Sequence, residues 1–237
     1  MFKKPEIPMQ YTLRALARLL SYPDAELREQ VPALLAAMRE EAALVPARLQ
    51  ELAALARHIA AADAYEVEER YVGTFDCSRR TSLLLFEHVH GDSRERGQAL
   101  VDLLQTYERA GLHYDGKELP DHLPVVLEFA STQPPELARP FLGEMAHILN
   151  ALFTALVAVE SPYASAIAAV LELAGEQAQT VDIPPEPDRD EDWGEPPAFD
   201  GIAMAGQRRP DTRAQRKPPE IRFVETEDAA QLEGAVQ

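Results

Sequence analysis

Cysteine is almost missing from this chain: Cys77 stands alone. One thiol cannot close an internal disulfide or build a cysteine-based metal centre, and such sparse use fits a reducing compartment. Positive charge is also scarce, with 23 Lys and Arg against 40 Asp and Glu and a formal charge of −17. That field repels nucleic acid phosphates and anionic lipid, which argues against a DNA, RNA or membrane-surface role and suits a basic partner. Long apolar runs are lacking. The most apolar stretch, 148–159, contains Asn150 and is followed by Glu160, well short of the roughly 20 residues a membrane span needs. The first residues carry Lys3 and Lys4 with no apolar run behind them, so they do not read as a signal peptide. Neither a Gly-x-Gly-x-x-Gly turn nor a Walker A loop occurs.

What is present is helical. Apolar residues make up 46% of the chain with only 7% aromatic, and the dominant Ala and Leu are among the least costly residues in a helix. Leu13, Leu16, Ala17 and Leu20 form a stripe that stops at Ser21-Tyr-Pro23. Asp24 can cap a short helix, and Pro32 is expected to open the next, with Leu34, Leu35 and Met38 inward. Pro46 opens another. Asp63 with Glu66 has the spacing of a capping box, and its helix carries Val67, Tyr71 and Phe75 four residues apart. Asp92 with Glu95 repeats the box before Leu100, Leu103, Leu104 and Tyr107, and Gly111 is placed to end that helix. Pro134-Pro135 is expected to start one long helix whose later part is apolar all round, and so central and buried. Ser161-Pro162 reads as a cap and first turn, and Gly175 as a stop. No run alternates long enough for a strand. The expected fold is all-α, a single multi-helix bundle domain over 1–180.

Composition changes near residue 181. The remaining 57 positions hold 8 of the 19 prolines, an acidic block at 186–192 and a basic block at 208–217. Scattered apolar residues there cannot offset the entropy of ordering, so 181–237 is expected to be a disordered, Pro-rich charged tail.

Catalytic constellations are weak. His88 and His90 are two apart, a spacing that does not share a helix face, and Asp121-His122 lacks an upstream histidine pattern. Cys77 lies near Arg79 and Arg80 but has no assignable base. The Arg79-Arg80-Thr-Ser-Leu-Leu-Leu run looks like a twin-arginine export motif, yet it is internal.

Three segments remain: Tyr71-x-x-Thr-Phe75, Gly91-Asp-Ser-Arg-Glu-Arg-Gly97, and Glu118-Leu-Pro-Asp-His122 running on to Phe129. In order and spacing they resemble the NarJ/TorD/DmsD chaperones that mature molybdenum enzymes. Phe75-Asp76, Arg79-Arg80, Ser82-Leu83 and the Gly91–Gly97 segment resemble the branch serving respiratory nitrate reductase. The resemblance covers roughly residues 10 to 175, with one departure: Leu84 stands about where a tyrosine is expected.

The resemblance implies a TorD-like helical bundle that is not an enzyme and needs no cofactor or metal. It implies a cytoplasmic, monomeric chaperone that binds the N-terminal peptide of the nitrate reductase catalytic (alpha) subunit while the molybdenum cofactor is inserted, with no nucleic acid partner and no stable membrane association. The implied peptide-binding residues are Tyr71, Phe75, Glu118, Asp121 and His122. Two readings stay open for them. Tyr71 and Phe75 can be core or groove wall. Asp121 can cap a helix beginning at His122, an exposed residue on this reading, or present charge to a ligand. Two alternatives also stand: a sister chaperone for another twin-arginine-exported molybdoenzyme, and a helical metal-dependent phosphohydrolase.

Overall fold

A computed structural model describes residues 7–91 and 93–183. The expected tail lies outside them from residue 184 onward, as does Asp92. The described residues form ten helices, with no strand among them.

The first is α1 (Gln10–Leu19), whose buried Leu13, Leu16 and Ala17, with Leu20 just past its end, follow the expected stripe. Met9 offers α1 no side-chain cap. Glu41 does so instead from another helix, accepting from the Tyr11 and Thr12 amides at 3.0 and 2.7 Å, which satisfies two of the four orphan donors of a helix start. Next, α2 (Ala25–Glu41) starts at Asp24, whose side chain accepts from the Leu27 amide at 2.7 Å. Pro32 does not open a helix; it lies inside α2. The buried row Leu27, Val31, Leu35 and Met38 crosses it without a break, so tertiary packing outweighs the backbone bond that proline removes.

Two more follow, α3 (Pro46–Ala61) with proline in its first turn and α4 (Ala64–Phe75), on which Asp63 receives the Tyr65 and Glu66 amides. A short α5 (Glu87–His90) leads to α6 (Arg94–Arg109), whose N-cap is Ser93 without a side-chain bond. Gly111, at φ +81, turns the chain out of α6 in a conformation that favours glycine. Then comes α7 (Leu123–Thr132). The long helix expected from Pro135 is two helices, α8 (Pro135–Glu144) and α9 (Ala146–Ala158), bent by 64° at Met145. The bend lets α8 and α9 each pack on α10 (Ala164–Ala174).

It is α10 that is most enclosed. Residues 166–171 of it are all buried, whereas α9 leaves His147 and Val157 exposed. Helix α10 touches α1, α3, α8 and α9, and α1 in turn packs on α2 and α7. Fully burying each large apolar side chain, as at Ile167 or Leu171, contributes about 1.5–3 kcal/mol before entropy. Beyond Gly175, whose φ of +88 ends α10, residues 176–183 run as an extended strap along α9. The Gln179 amide donates to Asn150 Oδ1 at 2.9 Å and the Val181 amide to Thr154 Oγ1 at 3.0 Å. Among the described residues no single helix is long and apolar enough to cross a membrane.

Candidate functional site

On α4 the four-residue spacing puts Val67, Tyr71 and Phe75 on one inward face. Tyr71 is 6% exposed and Phe75 4%, so the core reading of this pair holds in this structure. Their rings lie 4.9 Å apart, and Tyr163 at the start of α10 meets them edge-on at 5.9 and 4.9 Å. Tyr22 closes the other side of Tyr71 at 5.7 Å. The Tyr71 hydroxyl donates to the Leu20 carbonyl at 2.9 Å, at the end of α1. Burial pushes the Tyr71 and Tyr163 hydroxyls above the usual tyrosine range, so both act as fixed donors or packing groups.

Two segments are stitched together beside this cluster. The Leu85 amide donates to the Asp121 carbonyl at 3.1 Å, and the Leu123 amide to the Leu83 carbonyl at 2.8 Å. They frame an isolated antiparallel bridge between Leu84 and His122. The position expected to carry a tyrosine is therefore the partner of His122 across that bridge.

Asp121 is 0% exposed and is not a helix cap. The N-cap of α7 is His122, without a side-chain bond, and Asp121 precedes it. Its Oδ2 accepts instead from the Phe86 amide at 3.0 Å, while Oδ1 is buried without a protein partner. Asp121 is thus a strut between the 83–86 and 118–123 segments. A buried carboxylate holding a backbone N–H is hard to replace, because its loss leaves a desolvated donor unpaired.

His122 is half-buried, not exposed as expected. Burial holds its imidazole below the ordinary value of 6.5, while Glu118, Asp121 and Asp76 pull the other way. Glu118 is exposed, and with Asp76 it also bears on Tyr71. Of the five residues picked from the sequence, Tyr71 and Phe75 pair inside the core, Asp121 and His122 are adjacent at the bridge to the 83–86 segment, and Glu118 is exposed, its charge acting with that of Asp76 on both His122 and Tyr71. His88 and His90 serve structure; His88 Nε2 meets the Ser82 carbonyl at 2.8 Å and His90 lies 3.8 Å from Glu95. Gly91, with φ +51 and ψ −129 after α5, is a turn that a side chain would strain.

A second aromatic cluster escaped the sequence reading. Tyr107 of α6 and Phe129 of α7 lie 4.4 Å apart, Phe141 adds an edge at 5.1 Å, and Tyr114 faces Tyr107 at 6.4 Å. Beside them opens a pocket of about 200 Å³, lined by Tyr107, Tyr114, Val125, Glu128 and Phe129 among others. The signal was there in the inward position of Tyr107 on its stripe and in Phe129 closing the third motif. The Tyr114 side arrives from a loop, where periodicity says nothing. The Tyr107 hydroxyl donates to the Pro120 carbonyl at 2.8 Å, which links this cluster to the strut at Asp121.

Comparison with known proteins gives a consistent result. A family model described as nitrate reductase delta subunit matches residues 21–169. Similar to the chain is the nitrate reductase molybdenum cofactor assembly chaperone NarJ of Escherichia coli K12, 42% identical over 159 residues and 67% of each chain. The probable chaperone of the same description, NarW of that strain, is 40% identical over 163 residues, covering 69% of this chain and 68% of its own. The probable NarJ chaperone of Bacillus subtilis is 34% identical over 165 residues, covering 68% of this chain and 87% of its own.

Proposed function

The chain belongs to the nitrate reductase delta subunit family, and on that footing we propose that it is an assembly chaperone of nitrate reductase, not a catalyst. It attends insertion of the molybdenum cofactor, as the names of its relatives describe for them. It acts in the cytoplasm, as a monomer, before the enzyme docks at the membrane. Its client is the catalytic subunit, held by an N-terminal segment.

The observation that supports a binding role is the convergence at His122. The charges of exposed Asp76 and Glu118 both bear on the half-buried His122 and on Tyr71. Such a surface offers charge to a basic segment and apolar area to its other face, the pattern of helix-in-groove recognition. Tyr71 and Phe75 are too enclosed to touch a ligand in this state.

Titration calorimetry with a peptide of about the first 15 residues of the nitrate reductase catalytic subunit tests the proposal. Binding with a negative heat-capacity change, the mark of apolar burial, is expected. A folded protein that takes up no heat with this peptide places the client contact elsewhere.

A further inference from the structure

The pocket between α6 and α7 has no place in the arrangement around His122, and its chemistry is specific. At about 200 Å³ it is smaller than the roughly 300–1,000 Å³ of sites that enclose a cofactor or a drug-sized ligand. It has the size of one side chain. Its walls combine the rings of Tyr107, Tyr114 and Phe129 with Leu112, Val125 and the imidazole of His113. The hydroxyls of Tyr107 and Tyr114 are both turned away and spent, on the carbonyls of Pro120 and Glu118, each at 2.8 Å. The Thr132 hydroxyl is likewise spent on the Phe129 carbonyl at 2.7 Å. An occupant therefore meets apolar surface inside.

The rim is different. Glu128 lines the pocket with its side chain exposed. After burial, the fields of Glu118, Glu128 and Asp115 raise the Tyr114 hydroxyl; of the three, Glu128 is the one that lines the pocket. His113 itself lines the pocket, and Lys117 sits in the same loop between Asp115 and Glu118. None of the three carboxylates takes part in an ion pair among the described residues.

We propose that this pocket is an anchor subsite for an apolar, ring-sized side chain that carries a cation beside it, an aromatic residue next to Lys or Arg on a partner segment. The inference rests on the peptide-chaperone reading above and adds a second point of attachment to it. The aromatic side chain stacks on Tyr107 and Phe129, and the neighbouring cation meets Glu128. One buried anchor in a pocket carries most of the binding energy of a small interface. The site therefore sets which client residue is gripped, while the surface at His122 sets overall charge preference.

Two experiments on the full chain decide it. In the first, phenethylammonium and phenylacetate are added as probes and followed by ring proton shifts of the protein. Phenethylammonium is expected to shift the Tyr107, Tyr114 and Phe129 resonances saturably, and phenylacetate much less. Equal response to both removes the role of the carboxylates, and no response to either removes the subsite. In the second, Val125→Trp fills the pocket and Glu128→Gln removes the charge, the latter with little risk to folding. Each is titrated with the client peptide beside the wild type, after melting curves confirm folding. A loss of affinity of about tenfold is expected for the filled pocket, and a smaller, salt-dependent loss for Glu128→Gln. Unchanged affinity in both variants, with the wild type binding, overturns the subsite and leaves the chaperone reading standing. If the wild type binds no peptide but the probes still shift the rings, the subsite stands and the client assignment falls.

Discussion

Two aromatic clusters of similar make-up lie in this domain, and they have opposite fates. Tyr71, Phe75 and Tyr163 are locked between α1, α4 and α10, with Tyr71 bonded to the end of α1 and the exposed Tyr22 at their edge. Tyr107, Tyr114, Phe129 and Phe141 sit under α6, a helix that buries only Leu103 and Tyr107, and they border an open pocket. What separates them is the number of elements that converge. The first cluster is closed from several sides, the second from fewer. An aromatic pair at helical spacing specifies an inward face, but whether that face is core or groove depends on what else arrives there.

The largest effect should come from truncating the closed cluster. Phe75→Ala is expected to lose about 3–5 kcal/mol of stability, because a well-packed site collapses poorly around the cavity. Phe129→Ala should lose about 2 kcal/mol, since the pocket already beside it gives the site room to relax. Denaturant unfolding of both variants measures the difference. A reversed order breaks the comparison and makes the α6–α7 cluster the true core.

The strut between the clusters comes next. Asp121→Ala leaves the Phe86 amide buried without an acceptor and is expected to destabilise by about 1–3 kcal/mol. Asp121→Asn keeps an oxygen for that amide and should be milder. Comparing melting temperatures with peptide affinity sharpens the picture: if Asn melts like wild type yet binds the client peptide less well, the charge of Asp121 reaches the ligand as well as the fold.

The smallest effect is one of pH. Because burial lowers the His122 value below 6.5, the folded protein binds that proton less readily than the unfolded chain. Its contribution to stability is complete above pH 6.5 and is lost as the pH falls from there through the folded value. His122→Gln should flatten the decline in stability between pH 7 and pH 5. An unchanged slope means that Asp76, Glu118 and Asp121 compensate the burial in full.

Much of the helical layout was legible because it rests on local chemistry. Asp24 and Asp63 cap where their position in the sequence says they should, and Gly111 and Gly175 end helices at positive φ. The errors share one cause, contact between distant segments. Pro32 looks like a helix opener until the row from Leu27 to Met38 is seen to bury across it. The bend at Met145 exists because two faces must meet α10. Asp121 looks like a cap because its partner, the Phe86 amide, is 35 residues away and leaves no mark in spacing. The same holds for the candidate site. The five candidates came from the family resemblance, and their division into buried Tyr71, Phe75 and Asp121, half-buried His122 and exposed Glu118 had no mark in the sequence.

The strap along α9 carries a practical consequence. The family match ends at residue 169, and the last helix at Ala174. Yet, among the described residues, Oδ1 of the buried Asn150 accepts only from the Gln179 amide, and Thr154 Oγ1 only from the Val181 amide. A fragment ended at the last helix is expected to strand a polar group against the core, so a unit to be excised, fused or swapped between relatives should run at least to Val181. The place to cut is set by where the last buried acceptor is satisfied, not by where helix or homology stops.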